Sequence, residues 1–323
     1  MESSSQSTVF GWLNSESNMP FRTEKLILSR HIETQFPADT MRYRVLLADP
    51  QAQRHVEAWL CSLVGELSVA SISRSCELLC LEVCSVDDLD FSLLHQQEAI
   101  EVFQLAANAP VLNQPGLLVM DMDSTAIEVE CIDELAEMAG VGAAVAAVTE
   151  QAMQGELDFE ESLRARVGKL EGADAQIITT LCNSLPLMPG LTQMIAELKQ
   201  YQWRTVVASG GFTPFVNHLK QRLNLDAAFA NELDIANGRL LGSVSGQVVD
   251  AQFKADTVNR CAQQWEIAAG QRVAIGDGAN DIPMINAADF GIAYHAKPKL
   301  AAVADVRIDK LNLKVLPYLF QRQ

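Results

Sequence analysis

The sequence contains no long hydrophobic run, although hydrophobic residues make up 49% of its 323 residues. No apolar stretch approaches the roughly 20 residues that a membrane-spanning helix needs. The first residues, MESSSQSTVFGWLNSESN, lack the basic region followed by an apolar region that marks a secretory signal. We therefore expect neither a membrane span nor a signal peptide.

Basic residues are scarce. The chain has 24 Lys and Arg against 41 Asp and Glu, which gives a formal net charge of −17. A field of this sign opposes binding to nucleic acids and to anionic membranes, so we expect neither as a partner. It also means that an anionic small molecule needs a locally positive pocket.

Cysteine and histidine form no regular ligand pattern. The seven cysteines are an odd number spread along the chain, which is typical of a reducing cytoplasm rather than of a disulfide framework. Cys76, Cys80 and Cys84 recur at every fourth position in CELLCLEVC. A metal or redox site is one interpretation. A strand with three small buried side chains is favoured, because the CxxC spacing of strong metal sites is missing.

A chain of this length is expected to fold as more than one domain. Residues 1–40 have a weak pattern, and we expect a loose arm or irregular strands there. Residues 1–110 are predicted to form an α+β domain, followed by the linker ANAPVLNQPG. Its predicted elements are a strand RYRVLLA, a helix after Asp49-Pro50, a strand over 67–72, the cysteine strand and a helix over 87–107. This order resembles a ferredoxin-like or ACT-type domain.

Residues 111–323 are predicted to form a doubly wound α/β domain with a Rossmann-like parallel sheet. Continuous apolar runs at 117–120, 205–208 and 273–275 are typical of parallel strands buried on both faces. Residues 131–189 have only helical patterns, which predicts a helical cap inserted after the first strand. ANELDIANGRLLGSVSG predicts a β-hairpin that turns at Asn237-Gly238. Ligands of such sheets bind at the carboxyl ends of the strands.

Carboxylates follow the first apolar strand. Asp121 and Asp123 lie in DMDST, where two neighbouring carboxylates raise each other's pKa unless a cation is bound between them. An oxygen-rich site of this kind suits Mg²⁺. For this segment alone, an Asp-rich turn with capping roles is the alternative.

The other two strand ends favour a phosphate site. The segment Ser209-Gly210-Gly211 offers a hydroxyl and open backbone amides to phosphate oxygens. The segment GDGAND supplies Asp277 and Asp281 on the metal side and Asn280 as an amide donor, and Lys254 can reach phosphate as a point charge. Each feature has an ordinary alternative: a glycine turn, a solvated acidic loop or a surface lysine. The whole set, in this order, predicts one phosphate-handling site.

At these positions the chain resembles the haloacid dehalogenase superfamily, over roughly residues 116–323. The matching residues are Asp121, Asp123 and Thr125 for the first motif, DxDxT, Ser209 for the second, Lys254 for the third and GDGAND for the fourth. Further stretches narrow the resemblance to the phosphoserine phosphatases of that superfamily. They are MDMDSTAIEVECIDELA, FEESLRARV, LPLMPGL, ASGGFT, VDAQFKA and IGDGANDIPMI.

The resemblance implies Mg²⁺-dependent hydrolysis of O-phospho-L-serine to L-serine and phosphate, the last step of serine biosynthesis. Asp121 would attack phosphorus to form an aspartyl phosphate, and Asp123 would protonate the serine oxygen and then activate water. Mg²⁺ would be held by Asp121, by the main-chain carbonyl of Asp123 and by Asp277, with Asp281 outside the inner ligands. The phosphate would be bound by Ser209, Gly210, Lys254 and Asn280.

The resemblance also assigns the amino-acid part of the substrate. Glu130 would bind its ammonium group and Arg166 its carboxylate, a pairing that the charges favour. From the residues alone, a solvent-facing Glu130 and a surface salt bridge of Arg166 are the alternatives.

Other functions stay open at this point. A related phosphatase could act on phosphohomoserine or a sugar phosphate, although Glu130 and Arg166 favour an amino acid. A regulatory protein, whose N-terminal domain senses an amino acid, is a second alternative. A transporting P-type ATPase shares the aspartyl phosphate but needs membrane spans that are missing. We expect a cytoplasmic enzyme and leave its oligomeric state open, with a homodimer as one alternative.

Overall fold

The structure is a computed structural model that describes residues 8–17, 19–154 and 156–323. The chain divides into two compact units. The first contains the described residues up to Gln114 together with Thr192–Tyr201 and Ile308–Gln323, and the second contains the rest. Among the described residues, no helix combines the length and the apolar character that crossing a membrane requires.

The first unit is built on a six-stranded sheet with helices α1 to α3. Its elements in chain order are α1 (Val9–Leu13), β1 (Phe21–Arg22), β2 (Leu26–Arg30), β3 (Met41–Leu47), α2 (Gln53–Ser62), β4 (Gly65–Ile72), β5 (Leu79–Ser85), α3 (Ser92–His95) and β6 (Ile100–Gln104). The strand order is β1-β2-β4-β5-β3-β6. The four strands β3 to β6 lie antiparallel in the order β4-β5-β3-β6, which confirms the predicted ferredoxin-like arrangement.

Two local predictions for this unit were wrong. The helix expected over 87–107 is only one turn long (α3), and the strand β6 follows it because Ile100 and Val102 pair with Leu47 and Val45 of β3. The weakly patterned first forty residues include β2, a regular strand that lies parallel to β4. In both places long-range pairing decides the conformation, and local sequence patterns do not report such pairing.

The cysteine segment lies in the sheet as predicted, except at its start. Cys80 and Cys84 are buried in β5, whereas Cys76 is buried in the turn before it. Beside Cys84, His31 Nε2 lies 3.0 Å from Glu82 Oε1. Two guanidinium groups also bind the Glu82 carboxylate and already neutralise it, so this cluster is a poor site for a cation.

A buried arginine ties the C-terminal segment into the first unit. Arg44, which has no exposed surface, donates to the carbonyl oxygens of Tyr318 (2.6 Å) and Phe320 (2.8 Å). It also pairs with Glu82 at 2.9 Å and with Glu33 at 2.8 Å. The predicted boundary between residues 110 and 111 stays a prediction, and no local pattern indicates that residues 308–323 join the first unit.

The second unit is built on a seven-stranded sheet. Its elements are β7 (Leu117–Met120), α4 (Cys131–Met138), α5 (Gly142–Met153), α6 (Phe159–Gly168), α7 (Gln176–Ser184), β8 (Arg204–Phe212), α9 (Thr213–Leu223), β9 (Ala227–Ala236), β10 (Arg239–Ser245), α10 (Ala251–Gln264), β11 (Arg272–Gly276), α11 (Ile282–Ala287), β12 (Phe290–Tyr294), α12 (Pro298–Ala301) and β13 (Val306–Ile308). The helix between α7 and α9, α8 (Leu191–Gln200), belongs mostly to the first unit.

The strands that carry the motifs are neighbours in this sheet, whose order is β10-β9-β8-β7-β11-β12-β13. Strand β7 runs parallel to both β8 and β11, with Met120 opposite Val207 and Ile275. The three predicted apolar runs are therefore central strands, and their carboxyl ends lie side by side. This confirms the predicted doubly wound fold and brings the three polar loops together.

The helical insertion and the hairpin also form where the sequence predicts them. Helices α4 to α7 occupy the predicted cap, and α6 begins with a reciprocal capping box between Asp158 and Glu161. The β9–β10 hairpin turns at Asn237 and Gly238, whose φ angles are 51° and 74°. Two adjacent left-handed residues are the signature of a type I′ turn.

Arg44 offers a test of the first unit's stability. Arg44→Ala should lower the free energy of unfolding by about 3–5 kcal/mol, because it leaves buried carboxylate and carbonyl oxygens without their donor. The control is Arg164→Ala, which removes a half-exposed (i, i+4) ion pair with Glu160 and should cost less than about 1 kcal/mol. Urea unfolding followed by tryptophan fluorescence measures both. Equal losses would show that Arg44 does not hold this unit together.

Candidate active site

A cavity of about 160 Å³ lies in the second unit, where the carboxyl ends of β7, β8 and β11 meet the cap helices α4 and α6. Its lining is mostly polar and carries charges of both signs. The lining residues are Asp121, Asp123, Glu130, Ile132, Phe159, Leu163, Arg166, Gly210, Gly211, Phe212, Lys254, Asp277, Asn280 and Lys297.

Asp121 is fixed at the end of β7 by both its backbone and its side chain. Its N–H donates to the carbonyl of Ile275 in β11 at 3.0 Å. Its Oδ1 accepts the Met122 N–H at 2.7 Å and lies 2.8 Å from Lys254 Nζ. Burial and the nearby Asp281 carboxylate raise the pKa of Asp121 well above its ordinary value, so its negative charge depends on nearby cations.

Lys254 supplies one such cation. It lies in the first turns of α10, which Asp250 caps by accepting the Phe253 N–H at 2.7 Å. Its ammonium group is buried and lies 2.7 Å from Asp281 Oδ1 as well as close to Asp121. Burial alone would lower the pKa of Lys254, but the two carboxylates outweigh it and raise that pKa, so the ammonium stays charged.

Asp281 organises the loop after β11. Its Oδ2 accepts the N–H groups of Asp277 (3.2 Å) and Gly278 (3.1 Å), while Oδ1 binds Lys254. A Cβ atom on residue 276 would overlap the Asp281 carboxylate, so only glycine permits this close approach. Both oxygens of Asp281 are thus engaged by groups of the protein.

Three carboxylates form a cluster that fits a hard divalent cation. One oxygen each of Asp121, Asp277 and Asp281 lies within 4.8 Å of the others. Burial and the charge of Asp281 raise the pKa of Asp277 to about 6. Oxygen ligands and an unfavourable concentration of negative charge are the conditions under which a bound cation stabilises such a site.

Asp123 lies two residues beyond Asp121 and faces the same cavity. Its Oδ1 accepts the Cys131 N–H at 3.1 Å. On the other side of the carboxylate, a Cβ on residue 211 would lie 3.1 Å from Oδ2, so the glycine lets the backbone approach. Burial and the neighbouring Glu130 raise the pKa of Asp123 to about 7. A carboxyl group with that pKa can both give and take a proton near neutrality.

Glu130 and Arg166 face the cavity from the cap. Glu130 precedes α4 and accepts a hydrogen bond of 3.0 Å from Ser124 Oγ. Arg166 lies in the last turn of α6, and its Nε donates to Ser162 O at 3.4 Å. Burial lowers the pKa of Arg166 despite nearby acidic groups. Among the described residues, no carboxylate lies within 4.0 Å of its guanidinium group, which leaves that group available to an anion.

Most of the predicted site residues meet in this cavity. Ser209 and Asp281 do not line it: Asp281 lies behind Lys254, and Ser209 is fully buried with its Oγ accepting the Gly211 N–H at 2.8 Å. Thr125 is buried as well. The chemical roles assigned to all of these residues stay predictions.

Several lining residues were missed at the level of sequence. The sequence patterns assigned no role in the site to Ile132, Phe159, Leu163 or Phe212. Lys297 follows β12, whose run FGIAY is a further buried parallel strand in the same sheet. That run, followed by the polar segment HAKP, was the signal that could have identified Lys297.

Comparisons with known proteins agree with this geometry. The family model of haloacid dehalogenase-like hydrolases matches residues 116–289. A phosphoserine phosphatase of Haemophilus influenzae is 52% identical over 208 residues, which are 64% of this chain and 66% of that protein. A phosphoserine phosphatase of Vibrio cholerae is 54% identical over 201 residues, which are 62% of this chain and 61% of that protein. The aligned segments thus span less than two thirds of these relatives.

A solved structure is similar to this chain over a larger part of its length. The unliganded crystal structure of a probable phosphoserine phosphatase from Vibrio cholerae has a TM-score of 0.72 and 40% identity, and the match covers 90% of this chain and 91% of that one. The family model covers more than half of the chain and includes the loops that carry Asp121, Ser209 and Asp277. The chain belongs to the haloacid dehalogenase-like hydrolase family.

Proposed function

We propose that the protein is a magnesium-dependent phosphoserine phosphatase, which hydrolyses O-phospho-L-serine in the last step of serine biosynthesis. The observation that carries the proposal is that one cavity is lined by two groups of charged residues, one from the core and one from the cap. The core contributes Asp121, Lys254 and Asp277, and the cap contributes Glu130 and Arg166. The relatives named phosphoserine phosphatase support the same substrate.

Asp121 is the proposed nucleophile. The Met122 amide and the Lys254 ammonium both engage its Oδ1, so Oδ2 is the oxygen left for attack on phosphorus. In the first step the Oδ2–P bond forms and the bond from phosphorus to the serine oxygen breaks. The product is an aspartyl phosphate. Holding the carboxylate by one oxygen aims the other one, and positioning is a large part of phosphoryl-transfer catalysis.

Asp123 is the proposed general acid and base. It gives its proton to the serine oxygen as that oxygen leaves. It then takes a proton from the water that attacks the phosphorus, which releases inorganic phosphate and restores Asp121. The Cys131 N–H holds the carboxylate in place, so the same group can serve both steps.

The carboxylates fit Mg²⁺, which would supply charge neutralisation for the transferring phosphoryl group. Asp121, Asp277 and the main-chain carbonyl of Asp123 would hold it. Asp281 is a less suitable direct ligand, because its oxygens already accept from Lys254 and two backbone amides. Its proposed role is to fix Lys254 and the loop that carries Asp277.

The phosphate and the amino-acid part of the substrate would bind at opposite sides of the cavity. On the core side the proposed contacts are the Gly210 amide, Lys254 and Asn280, and Ser209, which does not line the cavity, would hold the Gly211 amide next to them. On the cap side Arg166 would bind the carboxylate of the substrate and Glu130 its ammonium group.

The cytoplasmic location and the homodimer also stay proposals. Cell fractionation would test the location, and analytical ultracentrifugation would test the oligomeric state.

The experiment that tests the function is a phosphate-release screen. O-phosphoserine, O-phosphothreonine, phosphohomoserine and sugar phosphates are compared, each with Mg²⁺ and with a chelator. We expect O-phosphoserine to give the highest kcat/KM and the chelator to abolish turnover. A sugar phosphate or phosphohomoserine as the preferred substrate would contradict the proposal.

The nucleophile is tested by Asp121→Asn. The amide keeps the shape of the side chain but lacks the attacking charge, so kcat should fall by at least ~10³-fold. The thermal midpoint should change little, because the carboxylate that is removed is costly to bury. Asp256→Asn, an exposed position on α10, is the control and should leave kcat unchanged. Near wild-type turnover of Asp121→Asn, with deamidation ruled out by mass spectrometry, would refute the assignment.

Selectivity is tested by Arg166→Ala. Loss of the guanidinium leaves the substrate carboxylate unpaired in a closed site, which costs about 2–5 kcal/mol, or roughly 30- to 5,000-fold in kcat/KM for O-phosphoserine. An aryl phosphate has no such carboxylate and should lose far less. Arg166→Lys should recover only part of the loss, because an ammonium group cannot bind a carboxylate at two points.

The matched control for Arg166 is Arg164→Ala on the same helix. Arg164 pairs with Glu160 and does not line the cavity, so both substrates should be unaffected. The decisive quantity is the ratio of kcat/KM for the two substrates. An equal fall for both in Arg166→Ala would mean that Arg166 supports the fold or the phosphate site instead of selecting an amino acid.

A further inference from the structure

We propose that Lys297 captures the phosphate dianion at the mouth of the active-site cavity, as a binding residue separate from Lys254. This inference rests on the proposed phosphatase function. Lys297 lines the same cavity as Asp121 and Asp277, yet its side chain is exposed. It therefore lies where the cavity meets solvent.

The backbone fixes the position of Lys297. Strand β12 lies parallel to β11, and Lys297 follows it directly before α12. The Lys297 N–H donates to the carbonyl of Asp277 at 2.9 Å, which joins the two strand ends. Lys297 and Asp277 therefore lie side by side at the cavity, on the core side.

Lys297 differs from Lys254 in how its charge is used. The Lys254 ammonium is buried between two carboxylates, so its charge is largely neutralised within the protein. Across the described residues, no carboxylate oxygen lies within 4.0 Å of the Lys297 ammonium. Lys297 thus has no carboxylate at ion-pair distance in the described part of the chain, and it lies at the entrance, on the core side where the phosphate would bind.

The overall charge of the chain gives this cation its importance. A net charge of −17 repels a substrate that carries a phosphate dianion and a carboxylate. A single positive charge at the mouth of a cleft lowers that barrier locally and favours entry of the anion. The effect acts through solvent, so salt should screen it: the Debye length shortens from about 30 Å at 0.01 M to about 8 Å at 0.15 M.

The test compares Lys297→Gln, Lys297→Arg and Lys299→Gln at fixed Mg²⁺ and increasing NaCl. Lys299 is exposed two residues further on and does not line the cavity, so its variant makes the same change in net charge elsewhere. At low ionic strength Lys297→Gln should lower kcat/KM for O-phosphoserine roughly tenfold with little change in kcat. The difference should shrink below about threefold at 0.3 M salt. Lys297→Arg and Lys299→Gln should stay within about twofold of wild type.

Two results would overturn the inference. One is a Lys297→Gln variant that matches Lys299→Gln at low ionic strength. The other is a fall in kcat that salt does not change, together with weaker activation by Mg²⁺, since that pattern would mean that Lys297 only supports Asp277.

Inhibition of aryl phosphate hydrolysis by inorganic phosphate gives an independent measure of phosphate binding, and the inhibition constant of phosphate should rise in Lys297→Gln. If wild type hydrolyses aryl phosphate but not O-phosphoserine, the proposed substrate fails while this measurement still decides the role of Lys297.

Discussion

The placement of one buried lysine between two carboxylates is the interaction on which the site depends. Parallel strands bring Asp121 and the loop of Asp281 to the same edge of the sheet, where burial penalises the charge of Asp121. Lys254 offsets that penalty at 2.7–2.8 Å from each carboxylate. The arrangement also orients Asp121 through one oxygen. The same contact therefore stabilises the buried charges and fixes the orientation of the proposed nucleophile.

The loop after β7 connects the two carboxylates at the end of the strand to Glu130 of the cap. The Met122 carbonyl accepts the N–H groups of Ala126 (2.8 Å) and Ile127 (3.0 Å), so the chain turns sharply after Asp121. Ser124 has a φ of 57° in this turn, an uncommon conformation for a residue other than glycine, and its hydroxyl binds Glu130. Strain at such a residue persists only where surrounding contacts hold it. The turn thus sets Asp123 and Glu130 in one cavity from a single short segment.

Much of the second unit could be predicted from sequence because its signals are local. Continuous apolar runs identify β7, β8 and β11, and each run ends in residues whose chemistry is distinctive. The first unit was predicted less completely: β6 exists because it pairs with β3, and residues 308–323 join this unit through Arg44. Such contacts join residues far apart in the chain and leave no periodic pattern. Lys297 was missed for a related reason, since a lysine after a strand is ordinary until its neighbours are known.

The partners of each cation decide what that cation can do in the cavity. Lys254 is held by two carboxylates, so it stabilises charge that the protein itself buries. Within the described part of the chain, Arg166 and Lys297 have no carboxylate within ion-pair distance, and they lie on the cap side and the core side. A substrate with two separated anionic groups can engage both, whereas a simple phosphate ester can engage only one. Under the proposed function, selectivity for an amino-acid phosphate would follow from the positions of Arg166 and Lys297, even though the overall charge of the chain is strongly negative.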